Sequence, residues 1–194
     1  MPPSSRRVER IAHVLGKRLP DLTVVLENIH DPHNVSAILR TCDAVGVIRA
    51  ELLYTCESFP KIGKKSSSSA SKWVDRRRHT SVQECYSVLR KEGYRIVATR
   101  LDPEATALFE CDLKGKMALV LGNEHRGVSD EAAGLADGSL SIPMRGMIES
   151  LNVSVAAAVL LYEALRQRLA QGPLPVPALP PEEYQKMFKD WIAR

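Results

Sequence analysis

No apolar run in this sequence approaches the roughly 20 residues that a membrane-spanning helix needs, so no membrane segment is expected. The first residues, Met1-Pro-Pro-Ser-Ser-Arg-Arg, lack the apolar core of a signal peptide. The two absences together predict a cytoplasmic protein. Cysteine is sparse. Cys42, Cys56, Cys85 and Cys111 are widely scattered, and no pair has the spacing of a metal knuckle. A reducing cytosol disfavours disulfides, so all four read as packing thiols, and no metal is expected. There is no internal repeat. Excess charge is small too. Twenty-seven Lys and Arg against 23 Asp and Glu leave a net charge of +4, which by itself argues little for a nucleic-acid partner.

What is present is a globular composition, 44% hydrophobic and 26% charged, in 194 residues, the size of one domain with short appendages. The basic residues are unevenly placed. Residues 6–18 carry Arg6, Arg7, Arg10, Lys17 and Arg18 against a single acid, Glu9. Residues 61–78 carry Lys61, Lys64, Lys65, Lys72, Arg76, Arg77 and Arg78 against Asp75. Such clusters read either as solvated faces or as groups that neutralise phosphates and release counterions.

Periodicity predicts an amphipathic helix over 5–18, a strand over 22–26, a helix over 34–45 stopped by Gly46, and a strand over 48–54. A polar loop follows at 55–72, then a short strand at Trp73-Val74. Thr80 or Ser81 caps a helix running to Glu92. Strands follow at 94–99, 117–121 and 140–142, with a helix opening at Ser129. The helix over 152–170 is small and apolar on nearly every face, which predicts burial. Strands alternating with helices predict an α/β fold, a parallel sheet covered on both faces, with ligands beyond the carboxyl ends of the strands. The proline-rich run 173–181 reads as an extended linker. The short amphipathic helix after it must dock on this or another subunit. The expected division is therefore a basic N-terminal helix (1–20), a central domain (21–171) and a linker with a C-terminal helix (172–194).

Three segments carry chemical information. Asn34 follows a buried strand and can cap the helix that contains Arg40, six residues on. Gly122-Asn123-Glu124-His125-Arg126-Gly127 is a charged turn at a strand end, where glycine lets another molecule approach the backbone. It is neither a phosphate loop nor a dinucleotide fingerprint. In Ile142-Pro-Met-Arg-Gly-Met-Ile-Glu-Ser-Leu-Asn152, Pro143 ends strand pairing, and Ser150 or Asn152 can cap the next helix. Each alone reads as ordinary turn and cap chemistry. Polar groups at the mouth of a buried helix also suit a ligand site built partly from backbone.

In this order and spacing, the three segments resemble the motifs of the SpoU/TrmH family of SPOUT RNA methyltransferases, and the likeness extends over almost the whole chain. Glu149, where the family usually has glutamine, and the glycine-poor loop 64–72 depart from the pattern. The resemblance implies an α/β fold with a C-terminal trefoil knot, which no periodicity reveals. It also implies a homodimer that moves a methyl group from S-adenosylmethionine, without a metal, to a ribose 2′-hydroxyl of tRNA, at guanosine 18 of the D-loop. Ribosomal RNA, another tRNA site, or a non-catalytic RNA-binding role are the alternatives. The short stretch before the first strand favours tRNA over ribosomal RNA.

By resemblance, Thr99, Gly122, Ile142 and Leu151 hold the cofactor, largely through backbone groups. Arg40, Asn34, Glu124, Ser150 and Asn152 are the catalytic and positioning set, with Arg40 as base and Asn34 holding it by a hydrogen bond. Arg6, Arg7, Arg10, Arg18, Lys64, Lys65, Lys72, Arg166 and Arg168 are the expected RNA contacts. Taking a proton from any guanidinium at neutral pH costs about 7.5 kcal/mol or more. An arginine base must therefore either orient the hydroxyl while a phosphate takes the proton, or lose its own proton only as the new bond forms. His30, His33 and His125 lie near the motifs and read as loop or packing histidines.

Overall fold

The computed structural model describes residues 4–60 and 72–194. It contains seven strands: β1 (Leu22–Glu27), β2 (Arg49–Leu53), β3 (Asp75–His79), β4 (Arg95–Thr99), β5 (Thr106–Ala107), β6 (Met117–Leu121) and β7 (Gly138–Ser141). They form one sheet in the order β3-β2-β1-β6-β4-β7-β5, and every pairing is parallel. The helices are α1 (Ser5–Leu15), α2 (Pro32–Val45), α3 (Val82–Lys91), α4 (Asp130–Leu135), α5 (Val153–Leu169) and α6 (Pro181–Ala193).

Side chains alternate across a strand, and here both faces are covered. Val24, Leu26, Leu52, Leu119 and Leu121 meet Val35, Ile38 and Leu39 of α2 and Leu160, Leu161 and Ala164 of α5. Their neighbours Val25, Leu53, Ile96, Ala98 and Val120 meet Val82, Tyr86 and Leu89 of α3 and Ala132 of α4 on the opposite side. Each fully buried Leu or Ile contributes roughly 1.5–3 kcal/mol, so the two layers fix the sheet between helices as the sequence predicts.

Several boundaries differ from the expectation. The first helix stops at Leu15, and Gly16 follows in a helical conformation before the chain turns. Asp31, not Asn34, caps α2, its side chain accepting from the His33 amide, while Gly46 ends the helix at φ 103°. Of the two candidate caps for α3, Ser81 is the one used. The strand expected at Trp73-Val74 lies at Asp75–His79, where three arginines hide its periodicity. The last strand is shifted to Gly138–Ser141, and the two-residue β5 is too short to leave a pattern. One face of α5 is not buried: Val155, Tyr162 and Leu169 are about half exposed, at 48, 53 and 54%.

Arg77 of β3 turns inward. Its Nε and a terminal nitrogen donate to both oxygens of the fully buried Glu51, at 2.8 and 2.9 Å. Arg49 Nε donates to the same carboxylate, and His79 Nε2 lies 2.8 Å from it. Burial alone would raise the Glu51 pKa. The hydrogen bonds with His79, Arg77 and Arg49 outweigh it and lower it to about 2.

The helices α1 and α6 pack together. Ile11 and Leu15 of α1 meet Leu179 and Trp191, flanked by Ile48 and Trp73 from the sheet edge. Arg18 lies inside this contact, 1% exposed, and Arg168 of α5 is 3% exposed. Neither is available to an RNA phosphate, a correction to the expectation for both. Arg168 donates to the carbonyls of Leu113, Ala164 and Gly115 and to the Asp21 carboxylate, tying the end of α5 to the turn before β6. Hydrogen bonds from a charged donor contribute about 1.5–3 kcal/mol each. Arg168→Met is therefore expected to lower the unfolding free energy by about 2 kcal/mol or more in chemical denaturation. A loss under about 0.5 kcal/mol would show that those carbonyls do not depend on it.

Candidate functional site

At the carboxyl ends of β4, β6 and β7 lies a cleft of about 590 Å³. This volume suits a cofactor-sized ligand. The lining includes Thr99, Gly122, Ile142 and Leu151, all four of the residues expected to hold a cofactor, and also Glu124, Ser150 and Asn152. It does not include Asn34 or Arg40.

The charged turn forms because its own side chains organise it. Asn123 Oδ1 accepts from the amides of His125 and Arg126, and its Nδ2 donates to the Asn28 carbonyl at 2.7 Å. The backbones of Asn123 and Gly127 bond in both directions. A Cβ built on Gly122 would lie 2.0 Å from the Gly127 carbonyl carbon. Glycine is thus required at 122 by the turn folding back on itself. Gly127 adopts φ 69°, which suits glycine.

Glu124 is the junction of the site. Its Oε2 accepts from the His30 amide, and its Oε1 accepts from the Asp31 amide, each at 3.0 Å. Asn34 Nδ2 donates to Oε1 at 2.9 Å. Asn34 Oδ1 in turn accepts from Asn152 Nδ2 at 3.0 Å. Asn152 caps α5, its Oδ1 accepting from the Ser154 amide at 2.8 Å. Residues 90 and 118 positions apart are thereby joined in one chain of hydrogen bonds.

Asn34 makes no hydrogen bond with Arg40 in this chain; its amide bonds Glu124 and Asn152 instead. Six residues along a helix amount to about 9 Å and 240°, and Arg40 is exposed on another side of α2. Arg40 makes no hydrogen bond or ion pair among the described residues. Ser150 lies exposed at the cleft and likewise has no hydrogen-bond partner among them. The Thr99 hydroxyl donates to the Val120 carbonyl at 2.8 Å.

Of the expected RNA contacts, Arg6, Arg7 and Arg10 are exposed along α1, and Lys72 is exposed before β3. Arg166 is exposed and paired with Glu163 one turn earlier. Lys64 and Lys65 lie outside the described residues. Sequence reasoning missed Asn28 and Glu57. Asn28, at φ 51°, accepts from the amides of Thr55, Cys56 and Glu57, and Glu57 pairs with Arg126 of the charged turn at 2.8 Å. Cys56 is exposed, so it is not a packing thiol, whereas burial raises Cys42 and Cys85 to about 12.

The cleft's chemistry fits S-adenosylmethionine. Leu121, Leu140, Ile142, Leu151 and Ala156 offer an apolar bed, and strand-end backbone with Asn123 and Ser150 offers hydrogen bonds beside it. The fold and cleft together define an α/β protein that holds a nucleoside-like ligand at the ends of its parallel strands. A model of the SpoU rRNA methylase family matches residues 21–162. The sequence is 49% identical to the tRNA (guanosine(18)-2'-O)-methyltransferase of Thermus thermophilus over 188 residues, 97% of this chain and 96% of that protein. The crystal structure of the Aquifex aeolicus TrmH/SpoU tRNA modifying enzyme superposes with a TM-score of 0.90 at 40% identity, covering 97% of this chain and 95% of the other. The SpoU methyltransferase AviRb of Streptomyces viridochromogenes, solved with AdoMet, gives 0.67 at 30% identity, covering 80% and 59%. The chain belongs to the SpoU rRNA methylase family. Its solved relatives share the SPOUT fold, which carries a C-terminal knot.

Burial alone would raise the Glu124 pKa, but the hydrogen bonds from Asn34 and from the amides of His30 and Asp31 outweigh it and hold the carboxyl below its ordinary value. A depressed folded-state pKa gives stability that is present above the unfolded value of about 4.3 and lost as pH falls through the folded one. The stability difference between the protein and Glu124→Gln is thus expected to be fully present above the unfolded value of about 4.3 and to close as pH falls below it. A gap that stays constant or widens in acid would refute the assignment.

Proposed function

We propose that this protein transfers the methyl group of S-adenosylmethionine to the ribose 2′-hydroxyl of guanosine 18 in tRNA, acting as a cytoplasmic homodimer. The observation that carries this reading is the Glu124–Asn34–Asn152 chain, which joins all three sequence motifs at one cleft. When bound, S-adenosylmethionine supplies an electrophilic methyl group. Backbone at Thr99, Gly122, Ile142 and Leu151 holds it, and the apolar lining excludes water. Glu124 and Asn34 fix the charged turn against the start of α2, and Asn152 fixes the start of α5. These residues set geometry in advance, which is how in-line transfer between two bound reactants gains most of its rate.

Arg40 orients the attacking hydroxyl; a neighbouring RNA phosphate would accept its proton as the oxygen takes the methyl group and the donor's C–S bond breaks, leaving S-adenosylhomocysteine. Its place outside the cleft supports delivery from a second copy of the chain. The exposed apolar residues Val155, Tyr162 and Leu169, seven apart on α5, support such an interface. Arg6, Arg7 and Arg10 of α1 serve the tRNA backbone, as do Lys72 and Arg166.

With purified protein, a tRNA transcript and methyl-labelled donor, label is expected at the ribose of guanosine 18 alone. A methyl group mapped to another nucleotide would overturn the substrate assignment. Arg40→Ala is expected to abolish single-turnover transfer while leaving tRNA affinity within about twofold, the signature of an interaction made in the transition state only. Mixed dimers of Arg40→Ala and Asn152→Ala chains should regain activity, because one cleft then retains every group. Silent mixed dimers would place Arg40 and the cleft in the same chain.

A further inference from the structure

Arg18 is a costly residue to bury. Its guanidinium is 1% exposed, and its Nε has no hydrogen-bond partner among the described residues. One terminal nitrogen donates to the Asp43 carboxylate at 2.5 Å, and the other to the carbonyls of Asp43 and Val47 at 3.1 and 3.4 Å. Trp191 of α6 closes over it, with the guanidinium carbon 4.9 Å from the ring centroid. A buried ion pair is weak evidence for stability, because desolvation offsets most of the attraction. What this one does is shown by where its acid sits. Asp43 is three residues after Arg40 on α2, and positions three apart on a helix are neighbours. It is also the only acid within one helical turn of Arg40 in the sequence. Its side chain is 33% exposed, so it is not closed off from solvent.

We propose that Arg18 is a positioning residue that acts through Asp43: by occupying this carboxylate from inside, it keeps it from capturing Arg40. Arg40 then remains unpaired and free to engage RNA. The proposal rests on reading Arg40 as the arginine of the transfer step. It assigns a task to the packed chain ends, since α6 supplies the tryptophan that closes over Arg18.

The test is single-turnover methylation with the enzyme saturating, so that the chemical step is read rather than tRNA binding. Arg18→Met keeps an unbranched side chain against Trp191 and frees Asp43. It is expected to slow transfer about fivefold, the upper range for an exposed ion pair. The slowing should shrink as salt rises, because such a pair is screened. Adding Asp43→Asn to Arg18→Met should restore the rate. A double variant as slow as Arg18→Met would overturn the proposal, since the defect would then be structural. Should Arg18→Met not fold, the exposed Ala44, four residues after Arg40, gives the same answer without touching the core. Ala44→Glu introduces an acid that Arg18 does not hold, and is expected to be slower than Ala44→Gln. Equal rates for those two would refute the idea. Full activity in Arg40→Ala would instead refute the reading of Arg40, which keeps the two failures apart.

Discussion

The Glu124 carboxylate accepts three hydrogen bonds, two from consecutive backbone amides at His30 and Asp31 and one from Asn34. With the Asn123–Asn28 bond, it ties the loop after β1 to the turn after β6, and without it the Asn34–Asn152 link would lose its anchor. A carboxylate suits the task because it offers about four acceptor sites and no donor, so each amide aimed at it is satisfied at once. Partial burial strengthens these bonds and raises the cost of breaking them. The cleft is lined by residues from four separate stretches of chain, and Glu124 ties one of them, the turn after β6, to the start of α2.

The same economy of pairing governs the basic residues. Four arginines that look alike in sequence serve different ends. Arg77 neutralises the buried Glu51, Arg168 ties α5 to the turn before β6, Arg18 holds Asp43, and Arg40 stands unpaired at the surface among the described residues. Arginine suits the first three positions because its planar fork supplies several donors in fixed directions, so one side chain can satisfy several carbonyls or both oxygens of a carboxylate. The positive charge left for a nucleic acid is consequently narrower than the composition suggests. Among the described residues it includes Arg6, Arg7 and Arg10 on α1, Arg76 and Arg78 on the outer strand, and Lys72.

The two terminal helices are not loose appendages. Ile11, Leu15 and Trp191 share one apolar contact, and through Arg18 it touches the last turns of α2. A change in how the two terminal helices pack would therefore be felt close to Arg40, without any movement of the sheet.

Much of the architecture was legible in order along the chain. Apolar runs marked the central strands and glycines at 46 and 93 marked helix ends, because these are local properties; the family resemblance singled out Thr99, Gly122, Ile142 and Leu151, and all four line the cleft. The edge strand Asp75–His79 was hidden, since its inward side chains are charged and find their partners on β2 and α3. The placement of Asn34 was not legible either. Its position suggested a helix cap, yet its amide links Glu124 to Asn152. Which arginine is buried, which acid it meets, and that Arg40 stands apart from the cleft were decided only by tertiary structure. Those outcomes depend on groups brought together from distant positions, and an ion's burial is tolerated only where such a partner is waiting.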